Sequence, residues 1–406
     1  MKILIGTEDI AGWIPNYKIG FQKNGHEVTT AVFNHNPFYN HSFDIIISET
    51  YLNKLIQTKF NKRKYVRRII QRVNNKWVLY KYHNFVRKMI DKHDVIIYIW
   101  RSFMDDCSDL KYAKSKNKKI VTLFVGSDVR YMSAFKQQFN VTNWTFPKEM
   151  DHNNPEWILK WIRNAEKYSD IIYSVPDQAG LQLRPYYHIQ VPLLCEKCTY
   201  NPEENKILKV LHAPSAPNKK GTDIIESTLD RLKNEGLRFD FVSVRNLPHQ
   251  EVLDLLSNSD ILIDELVFHG PGGISFEAML SGCAVATRYI ESSPAVFRPP
   301  IWSIDAESIY EKLKILLTDS HLRRELASKG REYACTNNAV EHVVYEILQN
   351  LETPRPPDYI PTFLIERFEP LSLIEIQTIN EWTNLVKDCS WYQDKIAHVE
   401  RSGLNF

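Results

Sequence analysis

Short aliphatic runs, broken by few polar positions, punctuate the first half of the chain: Lys2–Ile5, Phe43–Ser48, Asp94–Trp100, Lys119–Val125 and Asp170–Val175. A strand with one wet face alternates apolar and polar residues. A continuous run instead predicts a strand buried on both faces of a parallel sheet. Stretches of helical period lie between the runs. One is Pro15–Asn24, whose exit Gly25-His-Glu-Val28 reads as a helix stop followed by a second strand. The second half repeats the alternation. Lys206–His212 reads as a strand, and a helix carrying Glu226, Leu229 and Leu232 follows it. Next come a strand at Phe239–Val244, a helix at Pro248–Leu256 and a buried strand at Asp260–Asp264. The stretches Ala306–Thr318, His321–Tyr333 and Ala339–Leu351 continue as helices. Strand and helix in strict alternation predict α/β architecture with doubly wound parallel sheets.

At 406 residues the chain is too long for one compact core and suits two such domains. The aperiodic stretch Cys195–Asn205 separates residues 1–195 from residues 206–351. Pro354-Arg-Pro-Pro357 then breaks any helix. Residues 352–406 form an aromatic-rich extension, expected to pack across the N-terminal domain.

The strand at Asp260–Asp264 leads into His269-Gly-Pro-Gly-Gly-Ile-Ser-Phe-Glu277-Ala-Met-Leu-Ser-Gly282, then into an apolar run ending at Val285. This is a strand, a glycine-rich turn, a helix, a glycine stop and another strand. The turn glycines let a ligand approach the backbone, and the helix N-terminus offers unpaired N–H groups at its positive end. Glu277 follows Gly273 by four residues and shares its helical face. Amides for a phosphate beside a carboxylate for neighbouring hydroxyls describe a pocket for a nucleotide ribose and its diphosphate.

This segment resembles the donor-binding core of GT-B glycosyltransferases, close to the retaining group called group 1 or family 4. That family carries a Glu, seven residues, and a second Glu opening Glu-Ala-Met-x-x-Gly. Here Glu277, Ala278, Met279 and Gly282 match the second part, while His269 stands at the first Glu. The resemblance implies a GT-B fold, two Rossmann-like domains facing a central cleft, covering about Met1 to Leu351. It implies that Glu277 binds the donor ribose. It also implies that Gly272, Gly273, Ile274 and Ser275, with Lys220, hold the donor diphosphate. Lys220-Gly221 matches the Lys-Gly that opens the first helix of the family's C-terminal domain, whereas the Arg that precedes it there falls here on Pro214 or Ser215. His269 is expected near the donor sugar. Phe124-Val-Gly-Ser-Asp-Val-Arg130 ends a predicted strand and resembles the family's His-Gly-x-Asp loop, with Val125 at the His. Asp128 joins His269 as a candidate catalytic residue, and Gly12, Ser127 and Arg130 are candidate cleft residues. Gly-Ser-Asp reads equally well as an ordinary turn with an N-cap.

The activity so implied is transfer of a sugar from a nucleoside-diphosphate sugar to a glycan, lipid-linked or other acceptor, with retention of configuration. No Asp-x-Asp occurs in the chain, which points away from the metal-dependent class, and no cofactor is expected. The substituted Glu and the missing Arg motivate a non-enzyme rival, a catalytically degenerate GT-B-like module that binds sugar nucleotides or a partner, and a GT-B-fold sugar-nucleotide epimerase would share the same donor pocket. A dinucleotide-dependent oxidoreductase is disfavoured because no Gly-x-Gly-x-x-Gly follows the first strand.

Net charge is only +2, yet Lys59–Lys92 holds twelve Lys/Arg against one acid, Asp91, with apolar and aromatic residues throughout. This predicts a basic amphipathic helix or helix pair, and contact with an anionic membrane is one reading of it. No nucleic-acid motif accompanies the charge, so nucleic acid is not an expected partner. The six cysteines are scattered, only Cys195 and Cys198 have ligand-like spacing, and no metal site is expected. With no long apolar run and no leader-like start, the chain is expected in the cytosol, or at the inner face of the membrane.

Overall fold

The computed structural model describes residues 1–34, 39, 41–48, 64–138, 156–175, 180–268, 271–289, 297–361 and 372–402. The first sheet carries β1 (Lys2–Thr7), β2 (Glu27–Val32), β3 (Ile45–Ile46), β4 (Val95–Ile99), β5 (Lys119–Leu123), β6 (Ile171–Ser174) and β7 (Tyr187–His188). Their order is β3-β2-β1-β4-β5-β6-β7, and every pairing is parallel. The second sheet carries β8 (Leu208–His212), β9 (Phe239–Ser243), β10 (Ile261–Ile263), β11 (Ala284–Thr287) and β12 (Trp302–Ser303) in the order β12-β11-β10-β8-β9, again all parallel. The continuous apolar runs thus become strands covered on both sides, as two doubly wound α/β domains require.

Alternate residues of each strand go to opposite faces, which divides the core. Leu4, Ile96, Tyr98, Ile120 and Ile172 face one layer. It includes side chains of α2 (Lys64–Asp91), α3 (Ser108–Ser115) and α5 (Glu156–Tyr168). Ile3, Ile5, Ile97, Val121 and Tyr173 face a second layer with α1 (Trp13–Lys23) and α12 (Val340–Glu352). That second layer runs on into the other domain. Leu262 joins it there, beside α8 (His249–Leu256), α9 (Gly273–Ser281) and α11 (Ser320–Asn337). Ile261 and Ile263 turn instead to a third layer under α7 (Thr222–Asn234) and α10 (Ile309–Thr318). One apolar layer therefore runs through both domains, and α12 crosses back to lie on α1. Fully burying each aliphatic side chain in these layers stabilises the fold by about 1.5–3 kcal/mol.

The basic segment forms one helix over its described part, α2. Lys59–Arg63 lie outside the described residues, as do the side chains of residues 64–75. The extension forms α13 (Leu373–Thr383) and α14 (Ser390–Ser402). Ile379 and Val386 enter the first core layer, and α13 packs on α5. Tyr131 donates to Glu375, and Lys167 Nζ lies 3.0 Å from Asp388 Oδ1. The extension is thus held on the N-terminal domain by apolar burial and by polar ties. No described helix is long and apolar enough to cross a membrane.

Candidate functional site

In each sheet the chain leaves in opposite directions from two adjacent strands: between β1 and β4 in the first, between β8 and β10 in the second. A crevice opens at such a switch point, beyond the carboxyl ends of the strands. The two crevices face each other across a cavity of about 570 Å³. Its N-terminal wall is the loop after β1, Glu8 to Ala11, with Asn34 and Tyr39. The opposite wall comes from the loops after β8, β9 and β10. It includes Ser215, Lys220, Asn246, His249, Gly272, Gly273, Ile274 and Glu277.

The turn before α9 carries the most chemistry. Asp264, at the carboxyl end of β10, accepts the Gly272 amide at 3.1 Å and the Ser275 hydroxyl at 2.7 Å through Oδ2. Its other oxygen takes the ammonium of Lys220, whose Nζ also lies 3.8 Å from Glu265. A carboxylate thus pins strand end, turn and helix start together. Burial alone would raise the Asp264 carboxyl, but the Lys220 charge and the hydrogen bonds from Lys220, Ser275 and Gly272 together outweigh it and hold the group below the ordinary range. Lys220 mirrors this. Burial works against its ammonium, and Asp264 and Glu265 more than restore it, so its pKa is raised. Glu265 is pushed up to about 8, by burial first and with Asp264 adding to it against the pull of Lys220.

The amides of Gly273 and Ile274 belong to the first helical turn, which has no acceptors of its own, and both residues line the cavity. A side chain at Gly273 would bring its Cβ to 3.5 Å from Ala11 Cβ on the facing wall. Only a residue without a side chain leaves that gap open to a ligand. One turn further on, Glu277 Oε1 is 2.7 Å from His249 Nε2, and the His249 ring lies tilted against Tyr39 with centroids 4.5 Å apart. A polar chain thus crosses the cavity from one domain to the other. Burial raises the Tyr39 hydroxyl, with Glu277 and Asp9 adding to it.

Of the residues singled out in the sequence, Lys220, Gly272, Gly273, Ile274 and Glu277 line this cavity together. Ser275 is buried behind it and braces Asp264. Gly12 also stands behind the wall. Its φ is +76°, and a Cβ there would fall 2.9 Å from His41 and 3.2 Å from Tyr39, so it lets those rings pack over the start of α1. His269 lies outside the described residues.

The loop after β5 goes elsewhere, and Ser127, Asp128 and Arg130 are not among the residues lining the cavity. Asp128 is fully buried, and its Oδ1 accepts the amides of Val125 and Gly126 at 3.0 and 2.9 Å. Burial pushes its carboxyl up to about 7 against those bonds. The carboxylate thus bonds within its own turn, as one of the two sequence readings has it. Arg130 lays its guanidinium over the Phe268 ring, 4.3 Å from the centroid, and so joins the domains beside the cavity.

Sequence reasoning missed His249, Tyr39, Asp9 and the pinning role of Asp264. The helix of His249 was legible, but its meeting with Glu277, 28 residues away, is a product of the fold. Among the described residues no group of three or more His, Cys, Asp or Glu is arranged to hold a metal ion.

No protein-family description matches the chain, and no curated protein does. Solved structures do match. Sucrose-phosphate synthase from Thermosynechococcus elongatus aligns over 86% of this chain and 98% of its own, with TM-score 0.55 and 13% identity. Anabaena Alr3699/HepE in complex with UDP-glucose aligns over 87% and 100%, with TM-score 0.52 and 12% identity. An alpha-glucosyltransferase in complex with UDP-glucose and DNA containing an abasic site aligns over 87% and 100%, with TM-score 0.50 and 13% identity. At such identities the likeness concerns the fold. Two parallel α/β sheets flanked by helices and facing one cleft give this chain a GT-B fold, as in these structures.

Proposed function

We propose that the chain is a glycosyltransferase that takes its sugar from a nucleoside-diphosphate donor in the interdomain cavity. One observation carries the reading: Glu277, Lys220 and the first-turn amides of Gly273 and Ile274 line a single cavity at facing switch points. In this reading the diphosphate docks on those amides and on Lys220, which has N–H donors beyond the one engaged by Asp264. Glu277 takes the ribose hydroxyls, a role for which His249 already holds its carboxylate in place.

As the bond from the anomeric carbon to the phosphate oxygen breaks, the diphosphate keeps the electron pair. Fixed amides and an ammonium aimed at that charge lower the barrier without having to reorganise. The acceptor oxygen forms the new bond from the N-terminal side, with water excluded as the two walls close on the substrates. No resident metal is required in this account. The basic helix α2 exposes Trp77, Leu79 and Tyr80 beside Lys76 and Lys81. That combination suits the headgroup region of an anionic bilayer, where a lipid-linked acceptor would be met.

The test is incubation of the full chain with a panel of nucleoside-diphosphate sugars. UDP-glucose comes first, because two of the structural neighbours hold it. Acceptors are glycans, lipid-linked sugars in anionic vesicles, and DNA, which one neighbour holds. The expected result is acceptor-dependent release of nucleoside diphosphate, unchanged by a chelator. Binding without release under every condition would return the chain to the non-catalytic reading.

A further inference from the structure

Glu277 is not held by its own helix alone. Nε2 of His249 donates to its Oε1 at 2.7 Å, which leaves Oε2 for a ligand. His249 opens α8, just after the β9 loop, and Glu277 lies on α9, so the bond ties together two helices of the C-terminal domain. Both residues line the cavity. Tyr39 lines it too, from the other domain, beyond the end of β2. Its ring lies against His249 at an interplanar angle of 37° and also stacks on His41, with centroids 5.4 Å apart. Burial and the nearby carboxylates of Glu277 and Asp9 act together on its hydroxyl, which places that hydroxyl beside the same site. The N-terminal wall thus touches the residue that holds Glu277, and the contact lasts only while the two walls stay together.

We propose that His249 is the positioning residue of the ribose site, acting through Glu277, and that Tyr39 completes the site by steadying the His249 ring when the domains close. The proposal rests on the donor reading above and says how that site is made selective and how it is coupled to closure. A glutamate side chain left to itself samples several rotamers, and a ligand that needs one of them must freeze it. A carboxylate already fixed by His249 spares the ligand that cost. The gain reaches only a ligand with hydroxyls to give to Oε2. A ribonucleotide therefore draws on the relay, and an analogue without the two ribose hydroxyls does not. The ring contact across the cleft adds a reciprocal link. Whatever closure adds to the grip on the ribose, a bound ribose adds to closure.

The test titrates UDP and 2′,3′-dideoxyuridine diphosphate, which lacks both hydroxyls, into the full chain by calorimetry. The proteins are the wild type, His249→Ala, Tyr39→Ala and the double variant, each first shown to unfold at a similar temperature. His249→Ala should weaken UDP by about 5–20-fold, the worth of a hydrogen bond to a charged group, and should change the dideoxy analogue by less than about twofold. Tyr39→Ala should weaken UDP by about threefold, again sparing the analogue. The double variant should bind UDP within about twofold of His249→Ala, because both changes break one relay. Equal losses for the two ligands would make His249 a general support of the fold and overturn the proposal. Unchanged UDP affinity in His249→Ala would do the same, and so would losses that simply add in the double variant. A wild-type chain that binds no UDP, or binds the two ligands alike, overturns the donor reading itself, and the relay falls with it.

Discussion

Asp264 and Asp128 sit in comparable loops. Each follows a buried parallel strand, Asp264 directly after β10 and Asp128 five residues after β5, each is buried, and each accepts backbone N–H from a glycine-containing turn. Their ionisation nonetheless goes opposite ways, with Asp264 held below the ordinary carboxylate range and Asp128 pushed up to about 7. The difference lies in the partners. Lys220, 44 residues before Asp264, brings a bonded ammonium to it beside the Ser275 hydroxyl, whereas the Arg130 charge near Asp128 does not offset its burial. A turn of this kind becomes part of a ligand site when a distant segment supplies the counter-charge and the facing wall leaves its helix start open. Otherwise the turn closes on itself.

Removing that counter-charge should erase the contrast, and this is the largest effect expected. Lys220→Ala leaves Asp264 buried without its ammonium, which typically costs about 3–5 kcal/mol. The sign follows from linkage. A depressed carboxyl binds fewer protons folded than unfolded, so its contribution is present above its unfolded pKa and is lost as pH falls through the folded value. Urea midpoints of the variant should therefore drop most near neutral pH and approach wild type in acid. A uniform drop across pH would separate Lys220 from the Asp264 carboxylate.

Asp128 gives the reverse test. Its raised carboxyl binds more protons in the folded state, so its contribution is full below about pH 4 and is lost as pH rises through about 7. Asp128→Asn keeps an oxygen for the Val125 and Gly126 amides and cannot ionise. It should therefore stabilise the chain by about 2–4 kcal/mol at pH 8 and change little at pH 4. Catalysis should persist at a comparable rate, since Asp128 does not line the cavity. Loss of turnover with stability intact would restore the catalytic role that the sequence suggested.

A smaller effect isolates the open helix start. Gly273→Ala puts a methyl at van der Waals distance from Ala11, with room for it in the empty cavity. Stability should change by less than about 0.5 kcal/mol. Nucleoside diphosphate affinity should fall about tenfold, because the methyl occupies the approach to the amides. Unchanged affinity by calorimetry would move the diphosphate off this turn.

The contrast between the two aspartates also marks what a linear reading can give. The runs Lys2–Ile5, Asp94–Trp100 and Lys119–Val125 announce β1, β4 and β5 because burial on both faces leaves few polar positions. The helix start after Gly272 and its stop at Gly282 are equally local. Gly282 takes a φ of +95°, where a side chain is strained. Glu277 was legible through its spacing from Gly273. Its partner His249 was not, and neither was the Lys220–Asp264 pair, because both depend on how β8, β9 and β10 lie beside one another. The loop after β5 shows the same limit: its glycine and aspartate look like those of the cavity turn, and only the fold places them away from the cavity lining.

The central claim is that the Gly273 turn and Glu277 together hold a nucleoside diphosphate by its two ends. The most direct measurement is calorimetric titration of UDP, and then of the other nucleoside diphosphates, into the wild-type chain and into Glu277→Ala. The account predicts saturable one-site binding to the wild type and a loss of about 10–100-fold in the variant, the size of a charge-assisted hydrogen-bonded contact, with the thermal unfolding of the two proteins alike. Equal affinity for both proteins, or no binding of any nucleoside diphosphate to the wild type, would contradict it.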